Sequence, residues 1–370
     1  MAKYFGTDGI RGPFGGALLN IEFARRMGHA LAAFLRADFP QKPITVALGR
    51  DTRRSGPELE AAITAGLCQN GVHVLHLGVI PTPGVALSVK QLHADLGIAL
   101  TASHNPALDN GIKLFDNQGH KLLPETEIRI EACLDALPAQ LPPGDMCGFD
   151  HDGRDHYINF MRSVLHQNDL AGWKIVLDCA NGATFRTSPQ VLERVGADLT
   201  LIGVEPNGIN INDGVGSEYP ASLGEAVRKT QARLGIAHDG DGDRCVLCDE
   251  GGYLVDGDRL LGLLALHELR RGRLAHHTLV TTIQSNAGLD RTLERAGGRV
   301  IRTDVGDRHV LHAMLQGGYS LGGESSGHII FLPLLEAGDG LMAAHKTLDI
   351  MRDTGKSLTA LAAEVSLFPQ

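Results

Sequence analysis

The sequence predicts an α/β protein of three similar mixed α/β domains around a central cleft. Three observations lead there. Apolar, strand-like runs alternate with helix-like stretches along the chain. The same order of elements occurs three times. At 370 residues, with 43% hydrophobic and 21% charged content, the chain is long enough for two or three packed cores.

Each copy begins with an apolar strand and a polar turn: "ITVALGRDTRRSG" from Ile44, "KIVLDCANGAT" from Lys174 and "TLVTTIQSNAGL" from Thr278. A helix-like stretch ending in glycine and a second strand follow, in "NGVHVLHLGVIPTPG", "VGADLTLIGVEPNG" and "AGGRVIRTDVGDR". A third strand then runs into a polar loop, in "LGIALTASHNP", "LGIAHDGDGDR" and "GGYSLGGESSGH". Strands alternating with helices in this way call for largely parallel sheets. Proline and glycine in "LPAQLPPGDMCGFD" and the paired glycines of "CDEGGYLVDGD" mark boundaries. The domains expected are 1–148, 149–250 and 251–366. Equivalent loops of similar domains can face one cleft, so the three third-strand loops are expected to meet.

Composition excludes several classes. A net charge of -9 and a pI near 6.0 leave no basic surface for nucleic acid and amount otherwise to ordinary solubility. No run approaches the roughly 20 apolar residues of a membrane span, and "MAKYFGTDGIRG" lacks the apolar core of a signal peptide. Six cysteines in so long a chain make no disulfide scaffold. Only Cys245 and Cys248 have CxxC spacing; they fall in a strand-like run without a second pair, which argues against structural zinc. A reduced, cytoplasmic location is the default.

Ser103 stands just past the buried run "LGIAL", where α/β proteins place their chemistry. A Ser–His–Asp triad through His104 is disfavoured, because adjacent residues on an extended strand point to opposite faces. No G-x-S-x-G elbow surrounds the serine either. In "DGDGDR", Asp239, Asp241 and Asp243 alternate with glycines. Three carboxylates this close repel one another unless a cation neutralises them, and an all-oxygen set suits Mg²⁺. With Glu250 they match positions one, three, five and twelve of an EF-hand loop. Arg244, however, occupies the sixth position, where that loop needs glycine. A solvated acidic turn is the plain alternative. Arg244 fits phosphate oxygens through its planar fork, or else pairs with one of the aspartates. On this reading Ser103 carries a phosphoryl group that the cation and Arg244 hold. "YFGTDGIRG" with Arg11, "PNGININ", and "GESSGH" with Glu324, Ser326 and His328 are weak signals singly; the last offers hydrogen-bonding partners to a polyhydroxylated ligand.

Taken in order, "GTDGIRG", "TASHNP", "DNGIK", "PNGININ", "DGDGDR" and "GESSGH" resemble the motifs of the α-D-phosphohexomutases. The resemblance covers nearly the whole chain. "KYFGTDGIRG", "RTDVGDRHVL" and "GGESSGHIIF" bring it closest to the bacterial branch acting on glucosamine phosphates, rather than those acting on mannose or glucose phosphates. The resemblance implies a phosphoserine at Ser103 and one Mg²⁺ held by its phosphate and Asp239, Asp241 and Asp243. It also implies sugar contacts from Glu324, Ser326 and His328. Arg11, His104 and Lys113 would surround the transferring group, with Lys113 first choice as general acid/base. The reaction implied is interconversion of the 6- and 1-phosphates of glucosamine through a hexosamine bisphosphate, which supplies amino-sugar and cell-wall precursors. The partner implied is a small phosphosugar, with a homodimer as a candidate assembly and neither nucleic acid nor membrane involved.

The sequence also departs from the family. A fourth domain with an "RxSGTEP" phosphate loop is usual there, and the sequence reaches Gln370 without one, so that domain is expected to be missing. Asp304 stands where several relatives carry lysine, which puts one sugar-side contact in question. Thr101 and Ser325 occupy positions that differ among subfamilies. Two competing functions follow: turnover of mannose or glucose phosphates, and phosphosugar binding with turnover impaired.

Overall fold

The computed structural model describes residues 3–6, 8–141, 148–164 and 170–369. The chain forms two compact units, Met1–Tyr157 with Pro206–Ile211, and Ile158–Glu205 with Asn212–Gln370.

In the first unit the elements run β1 (Ile10–Pro13), α1 (Ile21–Asp38), β2 (Ile44–Arg50), α2 (Gly56–Cys68), β3 (Val72–Val79) and α3 (Thr82–Gln91). They continue through β4 (Leu96–Leu100), β5 (Asp109–Phe115), α4 (Pro124–Asp135), β6 (Gly148–Asp150) and α5 (Gly153–Val164), within which the chain passes to the second unit. The strands form one sheet in the order β1-β5-β4-β2-β3-β6. β4 is buried at every position, the mark of a strand covered on both faces. Asn20 caps α1 by accepting from the Phe23 N–H at 2.9 Å. Glu131 on α4 accepts the backbone N–H groups of Lys3, Tyr4 and Phe5 at 2.7, 2.6 and 3.0 Å, which ties the chain's beginning to that helix.

The second unit contains β7 (Lys174–Asp178), α6 (Thr187–Arg194), β8 (Asp198–Ile202), α7 (Pro220–Thr230), β9 (Leu234–His238), β10 (Cys245–Cys248) and β11 (Leu254–Val255). It continues with α8 (Gly257–Arg270), β12 (Thr278–Thr282), α9 (Gly288–Arg295), β13 (Arg299–Thr303), α10 (Asp307–Gly317), β14 (Leu321–Gly323), β15 (Ile329–Phe331), α11 (Gly340–Thr354) and α12 (Leu358–Ala362). Its sheets are ordered β11-β10-β9-β7-β8 and β13-β12-β14-β15.

The threefold repetition is a repetition of topology. In each copy a central strand (β2, β7, β12) pairs in parallel with the second strand on one side and the third on the other. The third strand then pairs with an antiparallel fourth: β4 with β5, β9 with β10, β14 with β15. The sheets are therefore mixed rather than largely parallel. A short antiparallel return fixes both ends of the loop between third and fourth strands, and those loops carry Ser103, the three aspartates and Glu324.

"CDEGGYLVDGD" forms the turn from β10 to β11, where Asp249 Oδ1 accepts from the Gly251 and Tyr253 N–H groups at 2.9 Å each. The other expected boundary, within 137–150, includes 142–147, which lie outside the described residues. Cys133, Cys179, Cys245 and Cys248 are free thiols, whereas Cys68 is disulfide-bonded. Among the described residues no helix is long and apolar enough to cross a membrane.

Helices α1 and α2 pack through two glycines. A Cβ on Gly28 would overlap the Ile63 carbonyl and come within 3.0 Å of the Gly66 Cα; one on Gly66 would overlap the Arg25 carbonyl and meet the His29 N at 2.8 Å. Gly66→Ala should therefore destabilise the first unit by about 1–3 kcal/mol through overpacking, despite about 1 kcal/mol of better helix propensity. A lowered midpoint in urea unfolding checks this; an unchanged or raised midpoint would show that the helices separate freely.

Candidate active site

Ser103 is fully buried and follows β4 by three residues. It adopts φ +52°, the left-handed region that non-glycine residues rarely enter. Its N–H donates to Thr101 Oγ1 at 2.9 Å. This backbone overturns one sequence-based expectation. Ser103 and His104 do not continue an extended strand, so their side chains do not diverge, and Ser103 Oγ lies 3.3 Å from His104 Nδ1. A proton can pass between them.

Arg11 and Lys113 come together through a residue the motif reading overlooked. On β1 Arg11 lies opposite Gly111 of β5, and Lys113 lies opposite Ala99 of β4. The Asp8 carboxylate pairs with Arg11, with Lys113 Nζ at 3.2 Å and with Lys121 Nζ. Three cations crowded together would repel one another; the shared carboxylate holds them in place. Lys113 is 1% exposed. Gly111 is required by close approach: a Cβ there would overlap the Thr101 carbonyl oxygen and stand 2.7 Å from that of Ile10. The "PNGININ" loop places Pro206–Ile211 in this unit, where the Gly208 carbonyl accepts from the Arg54 N–H at 2.9 Å.

In the second unit Asp239, Asp241 and Asp243 are all buried, and their ligand oxygens lie within 4.8 Å of one another. "CVLC" enters a strand rather than a helix, which removes the EF-hand alternative. Burial, then repulsion from Asp241 and Asp243, pushes the Asp239 carboxyl well above the ordinary carboxylate range. This oxygen-only donor set fits a hard cation such as Mg²⁺. Beneath it, buried His238 donates from Nδ1 to the Arg244 carbonyl at 3.3 Å and faces the Ser188 hydroxyl at 3.2 Å through Nε2. Loss of solvation lowers its pKa to about 4, so it is neutral. Arg244 lies 3.9 Å from Asp243 and 3.8 Å from Glu218, a loose pairing with both.

The "GESSGH" loop meets the aspartate loop directly. Arg244 and His328 form an isolated antiparallel bridge, and the Cys245 N–H donates to the Gly327 carbonyl at 3.0 Å. The buried His328 ring lies between two acids, with Nδ1 3.7 Å from Asp243 and Nε2 3.3 Å from Asp307. Glu324 Oε1 accepts the Gly306 N–H at 3.1 Å. Ser326 Oγ is buried and finds no hydrogen-bond partner among the described residues. Asp304 is exposed.

The raised Asp239 carboxyl has a consequence for stability. Above the ordinary carboxylate range the native state keeps a proton that the unfolded chain has released. Stability of the metal-free protein therefore falls as pH rises through that window. A bound cation removes the repulsion. Mg²⁺ should accordingly raise the thermal midpoint more at pH 8 than at pH 5, as measured by calorimetry against an EDTA-treated sample. An equal rise at both pH values would mean that the cation does not bind at the aspartates.

Family models cover almost the whole chain. Those described as phosphoglucomutase/phosphomannomutase, alpha/beta/alpha domains I, II and III match residues 2–140, 155–252 and 256–368. A phosphoglucosamine mutase of Syntrophotalea carbinolica is 46% identical over 374 residues, covering 100% of this chain and 82% of its own length. One from Symbiobacterium thermophilum is 45% identical over 373 residues and covered over 83% of its length. Among solved structures, a phosphoglucomutase/phosphomannomutase family protein from Burkholderia thailandensis matches with TM-score 0.85 at 26% identity, over 99% of this chain and 80% of that one. The Aspergillus fumigatus N-acetylphosphoglucosamine mutase, in complex with GlcNAc-6P and magnesium, shares the fold at TM-score 0.64 and 16% identity, over 100% of this chain and 81% of that one. With all three domain models matched in order and such identity along its full length, the chain belongs to the α-D-phosphohexomutase family.

Proposed function

We infer that the chain is an isomerase that interconverts glucosamine 6-phosphate and glucosamine 1-phosphate through a bisphosphate intermediate. The observation that carries this reading is the 46% identity to a phosphoglucosamine mutase over 100% of the chain. On this reading we place the phosphoserine in 1–148, the metal in 149–250 and sugar recognition in 251–366.

Ser103 is the phosphoryl carrier in this reading. In the first half-reaction the bond from Ser103 Oγ to phosphorus breaks while a sugar hydroxyl oxygen bonds to the same phosphorus. The hydroxyl proton passes to Lys113, which takes part in this step as the neutral amine, and protonated His104, with Nδ1 3.3 Å from Ser103 Oγ, gives a proton to that oxygen. The second half-reaction reverses these steps at the other end of the sugar. Arg11 and Lys121 pair with the same Asp8 carboxylate as Lys113 and bring positive charge beside it. Mg²⁺ held by Asp239, Asp241 and Asp243 would neutralise charge on a phosphoryl group. Arg244 supplies a guanidinium for phosphate oxygens. Glu324 is the charged acceptor for sugar hydroxyls or the amino group, and Ser326 and His328 add polar partners on the same loop.

Turnover assays with trace bisphosphate test the substrate. The kcat/KM for glucosamine 6-phosphate should exceed those for glucose and mannose 6-phosphates by about ten- to a hundredfold, the worth of one charge-assisted hydrogen bond to the amino group. Preference for either neutral sugar would overturn the assignment.

Two substitutions test the residues. Ser103→Ala should abolish turnover, with peptide mass spectra of the parent protein placing phosphate on Ser103. Stable phosphate found only elsewhere would remove the serine from this role. Asp241→Asn should weaken Mg²⁺ binding and lower activity by orders of magnitude while leaving the fold intact; titration calorimetry showing parent-like affinity would rule the triad out as the metal site.

A further inference from the structure

The turn "GRDTRRSG" after β2 contains a buried cation that none of the proposed roles uses. The Arg53 side chain is 0% exposed. A guanidinium away from water needs a partner for each of its donors, and here the partners are specific. Nε donates to Asp51 Oδ2 at 2.9 Å. Nη2 donates to the carbonyls of Ser103 at 3.0 Å and Asn105 at 2.8 Å. Nη1 donates to the carbonyl of Asp109 at 2.9 Å and to that of Pro106. One planar group thus joins four carbonyls of the loop from Ser103 to Asp109.

Asp51 works on the other side of the same loop. Its Oδ1 accepts the Arg53 N–H at 2.9 Å, and its own N–H donates to the Leu100 carbonyl at 3.1 Å. Its carboxylate also hydrogen-bonds Thr101, whose Oγ1 accepts the Ser103 N–H at 2.9 Å. Ser103 therefore sits in its left-handed conformation with its N–H tied through Thr101 to Asp51 and its carbonyl tied to Arg53. An arginine serving only as counter-ion would need only the carboxylate; here most of the donor set goes to the loop.

We propose that Arg53, held by Asp51, is the positioning residue that fixes the Ser103 loop in the conformation presenting Oγ for phosphoryl transfer. This rests on the reading of Ser103 as the phosphoryl carrier. Lysine cannot replace it, because a point charge with three donors does not reproduce a planar fork spanning four carbonyls.

The test compares Arg53→Lys and Arg53→Ala with the parent and with Ser103→Ala, all as full chains with Mg²⁺, glucosamine 6-phosphate and trace glucosamine 1,6-bisphosphate. Arg53→Lys should keep its circular dichroism and its KM while kcat falls about a hundredfold, the scale of an ångström misplacement of a reacting group. Phosphorylation of Ser103 by the bisphosphate, followed by intact mass, should slow in parallel. Guanidinium ion should restore part of the kcat of Arg53→Ala, and ammonium ion should not. Parent-like kcat in Arg53→Lys overturns the proposal, as does a loss of kcat that only tracks the folded fraction. Should Arg53→Ala fail to fold, the lysine variant alone decides. A Ser103→Ala protein that turns over normally would instead discard the phosphoserine reading, and an inactive Ser103→Ala beside a normal Arg53→Lys discards only the positioning role.

Discussion

The chemistry-bearing loops of this chain leave a buried third strand and return at once as an antiparallel fourth, so their backbone polar groups must be satisfied where water does not reach. Residues near the end of the central strand or just beyond it meet that demand in all three domains. In the first, the Asp51 N–H takes the Leu100 carbonyl and Arg53 takes four carbonyls beyond it. In the second, the Ala183 N–H donates to the Gly240 carbonyl at 2.8 Å, and Asp178 steadies the neighbouring turn by accepting from Ala180 and Gly216. In the third, the Thr281 hydroxyl donates to the Gly323 carbonyl at 2.8 Å. Central and third strands are neighbours on either side of the point where strand order reverses, the crevice in which open α/β sheets place their sites.

That shared scaffold carries opposite charge in different domains. The first gathers Arg11, Lys113 and Lys121 on the Asp8 carboxylate and buries Arg53 beneath its loop. The second buries three carboxylates together, at a cost in repulsion that a divalent cation relieves. A cation-rich loop suits phosphate oxygens, and an acid-rich loop suits a divalent cation. Neutral His238 supports the acidic loop without adding a charge of its own. Glycines make the tight approaches affordable in space: Gly182 lies against Gly240, and Gly327 against the Cys245 carbonyl.

Much of this was legible before the structure. Buried parallel strands read as uninterrupted apolar runs, and "ITVALGR", "LGIAL", "KIVLD" and "LGIAH" became β2, β4, β7 and β9. Ser103 and the three aspartates stood out because each directly follows such a run. Residues acting from a neighbouring strand or loop were not legible. Asp8 reads as part of a glycine-rich turn, Lys121 as a surface cation and Arg53 as one of two adjacent arginines, since nothing local distinguishes a buried guanidinium from an exposed one. The expected divergence of Ser103 and His104 failed for a related reason. Strand periodicity was extended beyond the strand's end at Leu100 to Ser103 and His104, into a backbone with φ +52°.

The sequence by itself determined the repeating order of strands and helices, the family and the residue types available for chemistry, because hydrophobic period and motif spacing are local properties of the chain. Tertiary structure alone decided which of those residues meet. It joined Arg11, Lys113 and Lys121 through one carboxylate, seated His328 between Asp243 and Asp307, and closed Arg53 onto a loop beginning 50 residues later. The reason is that burial and hydrogen-bond partnership arise only when strands distant in sequence lie side by side.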